Sequence, residues 1–203
     1  DKVLLDYNNK AEKLTESRKK VSQNIEVMLQ AELSDLNMAS AKFKVSFLKE
    51  EKVSKNGKDS IEFLIATNVG QDYKTLTKIA SGGEVSRIML ALKTIFSKVD
   101  NIPILIFDEI DIGVGGETVR KIAGKLKEIG KHAQVICITH SPQIAAKATQ
   151  QFYIEKNVVA NTTVTTVREL NQEERVREIG RMLAGENITD TVLSHALELL
   201  KED

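Results

Sequence analysis

Two adjacent acidic residues, Asp108 and Glu109, directly follow the apolar run Ile104–Phe107. A short all-apolar segment is typical of a strand buried in a parallel sheet, where functional groups gather at the carboxyl ends of the strands. At such an end the first carboxylate suits Mg²⁺, usually bound through water. The second suits a base that orients and deprotonates an attacking water. Taken alone, the pair also fits an acidic strand end that only faces solvent.

A histidine, His140, follows a second apolar run, Gln134–Thr139. If the two runs form neighbouring parallel strands, His140 lies near the two acids and can donate a hydrogen bond to a phosphate. Standing alone, such a histidine is more often a capping or core residue. His132 and His195 have no comparable setting, and we interpret both as ordinary surface or helix residues.

The sequence Ser81-Gly82-Gly83-Glu84 lies upstream, at the start of a predicted helix over Glu84–Val99. The glycines allow the backbone to approach a ligand closely. A helix N-terminus offers free N–H groups and a positive dipole end to an anion, and the serine hydroxyl adds a donor. Alone, this motif is weak, because glycine turns before helices are common. The chain contains no G-x-x-x-x-G-K-[ST] loop, the element that cradles nucleotide phosphates.

The apolar periodicity predicts an α/β chain that begins with a long helix and a hairpin. The predicted strands are Ala41–Leu48, Ile61–Ala66, Ile104–Phe107, Gln134–Thr139, Phe152–Glu155 and Thr162–Val167. The predicted helices are 1–38, Glu84–Val99, Glu117–Ile129, one opened by Ser141-Pro142, Glu173–Ala184 and Asp190–Glu202. Residues 68–80 are predicted to be a polar loop that leads to the Ser-Gly-Gly motif.

Residues 1–38 contain neither glycine nor proline and carry a stripe at alternating steps of three and four. The stripe consists of Leu4, Tyr7, Ala11, Leu14, Arg18, Val21, Ile25 and Met28. This spacing is typical of a coiled-coil seam, which only Arg18 interrupts. An amphipathic helix packed on its own domain is the alternative, and we favour the end of a coiled-coil arm. The helical pattern starts at residue 1, as expected for a piece of a longer chain.

The composition predicts an ordinary soluble globular chain. Of its 203 residues 41% are apolar and 29% are charged, and the formal net charge is zero, which argues against a generally basic nucleic-acid binder. The lysine-rich stretch 42–58 is interpreted as a solvated face, with contact to DNA phosphates as the alternative. Cys137 is the single cysteine and lies in an apolar run, so we expect a core residue in a reducing compartment such as the cytoplasm. No apolar run approaches the length of a membrane span.

In this order, the motifs resemble the second half of an ABC-type ATPase head of the SMC-like class. In that class a long coiled coil separates the half with the P-loop from the half with the signature motif. Longer runs are most similar to the RecN family of bacterial DNA-repair proteins: residues 78–93, 106–113, 139–145 and 173–183. The resemblance implies the C-terminal lobe of an ABC-type P-loop ATPase head with a parallel-sheet core. Its domains would be a coiled-coil arm end at 1–38 and the head half at 39–203, beginning with a β-hairpin.

The resemblance also implies a nucleotide contact for the upstream motif. Ser81, Gly82, Gly83 and Glu84 would form the signature loop, which caps ATP held by the P-loop of a second head. Because this chain carries no P-loop, we expect it to be inactive alone.

The downstream motifs receive roles in the same way. Asp108 would support Mg²⁺ through water, and Glu109 would be the catalytic base. Asp111 would be the D-loop acid at the seam between two heads. His140 would contact the γ-phosphate and is therefore also expected among the catalytic residues.

The expected cofactors are ATP and Mg²⁺. The expected partners are the protein's own P-loop-containing N-terminal half, a second head in a homodimer, and DNA, with no membrane. The resemblance implies double-strand break repair and recombination in the bacterial nucleoid. Alternatives are a chromosome-organising SMC-type head and a non-catalytic interaction module. A DExx-box helicase fits less well, because it leaves the upstream Ser-Gly-Gly-Glu motif unexplained.

Overall fold

The computed structural model describes residues 1–50, 52–96, 99, 102–159 and 162–202. These residues form two compact units, Asp1–Ile102 and Pro103–Asp203. In the part of the chain described, no helix is both long and apolar enough to cross a bilayer. The predicted division between residues 38 and 39 concerns an arm and a head of the complete protein, and it stays a prediction.

The first unit combines two helices with an antiparallel sheet. Its elements in chain order are α1 (Lys2–Asp35), β1 (Lys42–Lys49), β2 (Asp59–Ala66), β3 (Lys74–Thr75) and α2 (Gly82–Phe96). The sheet order is β1-β2-β3, so the predicted hairpin is confirmed. The strand β3 and a 3₁₀ turn at Leu76–Lys78 lie where a plain loop was expected. A two-residue strand is too short to produce an alternating pattern in the sequence.

The helix α1 packs against β1 and α2 of its own unit. Its buried residues are Ala11, Ser22, Leu29 and Leu33. The predicted seam coincides with this face only in part, because four of its members are exposed: Leu4, Leu14, Val21 and Met28. The helix therefore follows the surface of its own unit along a stripe rotated from the predicted seam. The exposed apolar residues of α1 are compatible with a coiled-coil partner, and the coiled-coil arm stays a prediction.

Polar side chains of α1 hold the hairpin beside it. The Tyr7 hydroxyl donates to the carbonyl oxygen of Gly57 over 3.1 Å. Gly57 has φ +92°, a backbone conformation that favours glycine in the hairpin turn. Further along α1, the Glu26 carboxylate accepts a hydrogen bond from the Val45 backbone N–H over 2.8 Å. These contacts hold the hairpin against the helix at its turn and in the middle of β1.

The second unit begins as a parallel α/β arrangement and ends in helices. Its elements are β4 (Ile104–Phe107), α3 (Gly116–Ile129), β5 (Gln134–Cys137), α4 (Pro142–Lys147), β6 (Phe152–Val159), β7 (Thr162–Glu169), α5 (Gln172–Ala184) and α6 (Asp190–Lys201). β4 pairs with β5 in parallel, and β6 with β7 in an antiparallel hairpin. Each predicted element is present, with bounds that differ by a few residues. Helices α4, α5 and α6 share a small core: Ala145, Ala146, Ile179, Ala196 and Leu199.

The prediction that β4 and β5 are buried on both faces is wrong for this chain. On one face Phe107 is 4% exposed, whereas on the other Ile104 is 50% and Ile106 is 68% exposed. Ile136, which pairs with Ile106 on the same face, is 44% exposed. The apolar run is typical of a doubly covered strand, but the described residues cover only one side of this pair.

Candidate active site

The two acids lie where the parallel strands β4 and β5 end together. The Ile138 N–H donates to the Phe107 carbonyl oxygen over 2.9 Å, which extends the pairing by one step beyond β5. Asp108 and Glu109 follow at once, and both are exposed. Because the parallel pairing aligns the strand ends, the chain after β5 runs beside these carboxylates. The structure therefore brings the end of β4, with its two acids, next to the end of β5, as the sequence predicts.

Glu109 adopts an unusual backbone conformation. Its φ is +58°, in the left-handed region that non-glycine residues seldom occupy. The Ile112 N–H donates to the Glu109 carbonyl oxygen over 3.2 Å, so a tight turn directly follows the strand. The next residue in the chain, Ile110, is fully buried and anchors this turn. Backbone strain of this kind gathers at functional sites, where the surrounding fold maintains it. The sequence gives no signal for this feature.

Asp111 is buried and connects the two strand ends. Its side chain is only 2% exposed. Its Oδ2 atom accepts hydrogen bonds from the Thr139 hydroxyl and, over 3.2 Å, from the His140 backbone N–H. The Thr139 oxygen in turn accepts from the Ser141 N–H over 2.9 Å. A single carboxylate thus organises the segment that carries the histidine. Sequence reasoning missed Thr139, although its hydroxyl at a strand end was the available signal.

His140 presents its ring to solvent. Its side chain is 77% exposed, and Nδ1 lies 3.5 Å from Oδ2 of Asp111. Ser141 is the N-cap of α4, with Pro142 at its first helical position, as the sequence predicts. The backbone N–H of His140 is held by Asp111, and the ring lies with Nδ1 near the same carboxylate while most of its surface is open to solvent.

The thiol of Cys137 lies close to these acids. Burial raises the pKa of Cys137 to about 12, and the charges of Asp111 and Asp108 add to the effect. A raised pKa favours the neutral thiol, which is a weak nucleophile. Cys137 is only partly buried, so the expected core residue lies at the edge of the packed interior.

The Ser-Gly-Gly-Glu motif belongs to the first unit, where it begins α2. The Ser81 carbonyl accepts the first helical hydrogen bond, from Val85 N–H over 3.1 Å, and its hydroxyl accepts weakly from Glu84 N–H over 3.4 Å. The helix thus starts at Gly82 rather than at the predicted Glu84. Predicted residues 97 and 98 of this helix lie outside the described residues. Ser81 and Gly82 are exposed, whereas Gly83 is buried, so the motif offers an anion the start of α2 at Ser81 and Gly82.

Comparison with known proteins places this chain in a family. The family model described as RecF/RecN/SMC N terminal domain matches residues 2–165. The chain belongs to this family. Two proteins called DNA repair protein RecN are similar to it. The one from Halalkalibacterium halodurans is 43% identical over 98% of this chain and 36% of its own length. The one from Bacillus subtilis is 39% identical over 100% of this chain and 38% of its own length.

Solved Smc head domains share the fold. The Smc head domain with a coiled coil and joint from Pyrococcus yayanosii gives a TM-score of 0.52 at 21% identity, over 81% of this chain and 29% of that chain. The Smc head domain with an extended coiled coil from Pyrococcus furiosus gives 0.50 at 21% identity, over 87% and 41%. The expected fold class, a lobe of an ABC-type ATPase head, is confirmed. The chain spans about a third of the length of the RecN relatives.

Proposed function

We propose that this chain forms the C-terminal half of an SMC-like ATPase head, which binds ATP between two heads and hydrolyses it. We further propose that the complete protein acts in DNA double-strand break repair and recombination. The observation that carries the proposal is Glu109, an exposed carboxylate on a left-handed backbone at the end of a parallel strand. Such a placement fixes a base at the edge where α/β proteins bind nucleotides.

Three side chains at this edge divide the hydrolytic work. Asp108 would hold Mg²⁺ through water, as exposed carboxylates at such strand ends commonly do. Mg²⁺ bound with ATP would offset part of the phosphate charge. Glu109 would orient the attacking water and take its proton. His140 would donate a hydrogen bond to the γ-phosphate from its exposed ring.

The signature motif would act on a second copy of the head. The exposed Gly82 at the N-terminus of α2, with the Ser81 hydroxyl, would cap ATP held by the P-loop of the partner head. Gly82 and Gly83 would allow the close approach, and Glu84 would complete the loop. ATP would thereby join two heads, and hydrolysis would release them. The role of Asp111 at this seam remains a prediction from the resemblance.

The first partner would be the P-loop half of the same protein. One face of the β4–β5 pair is apolar and exposed, with Ile104 and Ile106 at its centre. Parallel sheets are normally covered on both faces, so this face is expected to be buried in the complete protein. The RecN relatives are almost three times longer than the stretch that this chain matches. We propose that the P-loop half covers this face, and that the chain alone does not hydrolyse ATP.

The DNA role is proposed from the names of the relatives. Their 39–43% identity over nearly all of this chain favours a RecN-like repair protein over a chromosome-organising SMC head, for which the solved neighbours are 21% identical. We therefore propose DNA as the macromolecular partner and the bacterial nucleoid, in the cytoplasm, as the place of action. A non-catalytic interaction module would not require both Glu109 and His140.

The test combines this chain with the matching P-loop half and follows ATP hydrolysis with and without linear DNA. We expect turnover only in the mixture and stimulation by DNA. A parallel mixture with Glu109→Gln should bind ATP and accumulate paired heads without hydrolysis, which light scattering or gel filtration detects. Turnover by the purified chain alone would refute the split head. An inactive mixture, with folded halves that associate, would favour an interaction module.

A further inference from the structure

We propose that Asp111 is a positioning residue, which holds the Thr139–His140 segment in place so that the His140 ring meets the γ-phosphate. The inference rests on the proposed role of His140. It assigns to Asp111 a task inside its own head, in addition to or instead of a contact across the seam between heads.

The hydrogen bonds of Asp111 converge on one short segment. The Oδ2 atom accepts a hydrogen bond from the Thr139 hydroxyl and a second one, over 3.2 Å, from the His140 backbone N–H. The Nδ1 atom of the His140 ring lies 3.5 Å from the same oxygen. The backbone N–H and the ring of His140 thus both lie next to the same carboxylate oxygen. With Nδ1 turned to the carboxylate, Nε2 is the ring nitrogen left for a phosphate oxygen.

The burial of Asp111 argues for a specific task. Its side chain is 2% exposed, and its Oδ1 atom has no hydrogen-bond partner among the residues that the structure describes. A buried carboxylate with one unsatisfied oxygen costs stability, and an apolar side chain of similar size would pack at least as well. We infer that the acid serves to orient its neighbours.

The exposure of the two partners also fits this division. His140 presents a ring that is 77% exposed, whereas the carboxylate behind it is enclosed. A group that met a second head directly would have to present a polar surface, and Asp111 presents almost none. The arrangement is comparable to the acids that orient metal-binding histidines from behind, whose loss typically costs about 10- to 100-fold, and we expect an effect of that order here.

The test is a double-mutant cycle in the complete protein that carries this chain. The variants are Asp111→Asn, which keeps the side-chain shape, His140→Ala, and the two combined. Thr139→Val removes a donor to Asp111 without altering an acid. Glu117→Gln is the matched control, because Glu117 is an exposed acid of α3 paired with Lys121 at 3.7 Å. The readouts are kcat/KM for ATP, the affinity for ADP, and the preference for ATP over ADP in a Glu109→Gln background.

We expect Asp111→Asn to lower kcat/KM by roughly 10- to 100-fold and Thr139→Val by less. In the His140→Ala background, Asp111→Asn should change the rate less than about twofold, because the ring it supports is gone. ADP lacks the γ-phosphate, so its affinity should stay within about twofold, while the preference for ATP falls. A purely structural acid would weaken ADP binding as well. Glu117→Gln should leave all three quantities unchanged.

Two results would overturn the inference while His140→Ala remains strongly impaired. One is an unchanged rate for Asp111→Asn. The other is an equal loss in both backgrounds, which would place Asp111 at an independent site such as the seam between heads. A normal rate for His140→Ala would instead refute the proposed role of His140, and the inference with it. The single variants thus separate failure of the inference from failure of the proposed function.

Discussion

Arg18 of α1 donates a hydrogen bond from Nη1 to the carbonyl oxygen of Asn56, 2.9 Å away in the turn of the β1–β2 hairpin. The same nitrogen lies 3.8 Å from Oδ2 of Asp59, whose side chain is only 8% exposed. Thr15 also donates to this carboxylate. The residue that interrupts the apolar stripe of α1 is therefore a cation that secures the hairpin to the helix, as Lys58 also does through Glu12.

Replacement of Arg18 by methionine separates two interpretations of α1. The change completes the apolar stripe but removes the cation that faces the enclosed Asp59 carboxylate. We expect destabilisation of the hairpin turn by about 1 to 2 kcal/mol, because a poorly solvated charge loses its partner. Hydrogen exchange of residues 52–58 in the complete protein should then accelerate about tenfold, which corresponds to 1.4 kcal/mol.

Lys10→Met is the matched control for this experiment. Lys10 forms an ion pair with Asp6 on the same helix, and both side chains are well exposed, at 75% and 63%. Exposed pairs of this kind contribute little, so hairpin exchange should not change. Slower exchange in Arg18→Met would contradict the prediction and show that the coiled-coil seam outweighs the contact with the hairpin.

The backbone of Glu109 allows strain to be separated from chemistry. Glu109→Gln keeps the left-handed residue and removes the base, whereas Glu109→Gly removes both the base and the steric strain of φ +58°. Both variants should lose ATP turnover in the complete protein. Only the glycine variant should become more stable, by about 1 kcal/mol, since glycine adopts this conformation freely. Thermal unfolding compared between the two variants measures this difference.

Asn37→Gly is the control for the glycine effect. Asn37 has nearly the same φ, +59°, after the end of α1. Asparagine tolerates the left-handed region better than glutamate does, so its replacement should change stability by only a few tenths of a kcal/mol. If Glu109→Gly proved less stable than Glu109→Gln, side-chain contacts would stabilise the left-handed turn, and the backbone at Glu109 would not be strained.

The local chemistry of the site could be predicted from the sequence, because it depends on residues adjacent in the chain. The acids after β4 and the cap at Ser141-Pro142 follow from short motifs, and both occur at the expected places. The burial of Asp111 could not be predicted, since its partners Thr139 and His140 lie on another strand end. An acid two residues after Glu109 is equally compatible with an exposed seam.

The faces of the elements were predicted less well than the elements themselves. Arg18 appears as a defect in a seam because its partner, Asn56, is distant in sequence. Ile106 is another case in which the sequence predicts the strand correctly but not which of its faces is buried. An apolar run predicts a strand that is buried on both faces. It does not indicate whether the residues that bury it belong to the same stretch of chain.

The start of α5 provides a test of helix capping. The Asn171 side chain accepts from the Glu174 N–H over 3.0 Å, and the Glu174 carboxylate accepts from the Asn171 N–H over 2.9 Å. Asn171→Ala should therefore accelerate hydrogen exchange in the first turn of α5 severalfold. Thr189→Ala at the start of α6 is the comparison, with a smaller expected effect, because its hydrogen bond to Val192 N–H is longer, 3.4 Å.

The same cap should respond to pH. The backbone N–H of Asn171, followed by Arg168, lowers the pKa of Glu174 in the folded state. A carboxyl group with a lowered pKa stabilises the fold above its ordinary pKa, and this contribution is lost as pH falls through the lowered value. Protection of the first turn of α5 should thus weaken on acidification below about pH 4. Glu174→Gln removes the titrating group and should abolish this pH dependence, and an unchanged pH profile in that variant would show that Glu174 is not its source.

The thiol of Cys137 should react very slowly in the folded protein. Its pKa is raised to about 12 by burial and by the charges of Asp111 and Asp108. At pH 8 the thiolate fraction is then about a thousandfold below that of an ordinary cysteine, and alkylation should slow accordingly. Since the unfolded chain ionises first, this group lowers the stability of the fold as pH rises above the ordinary thiol value. Asp111→Asn should speed alkylation by removing one of the two charges, whereas Glu117→Gln should not. Equal rates in the folded and the unfolded protein would contradict the raised pKa.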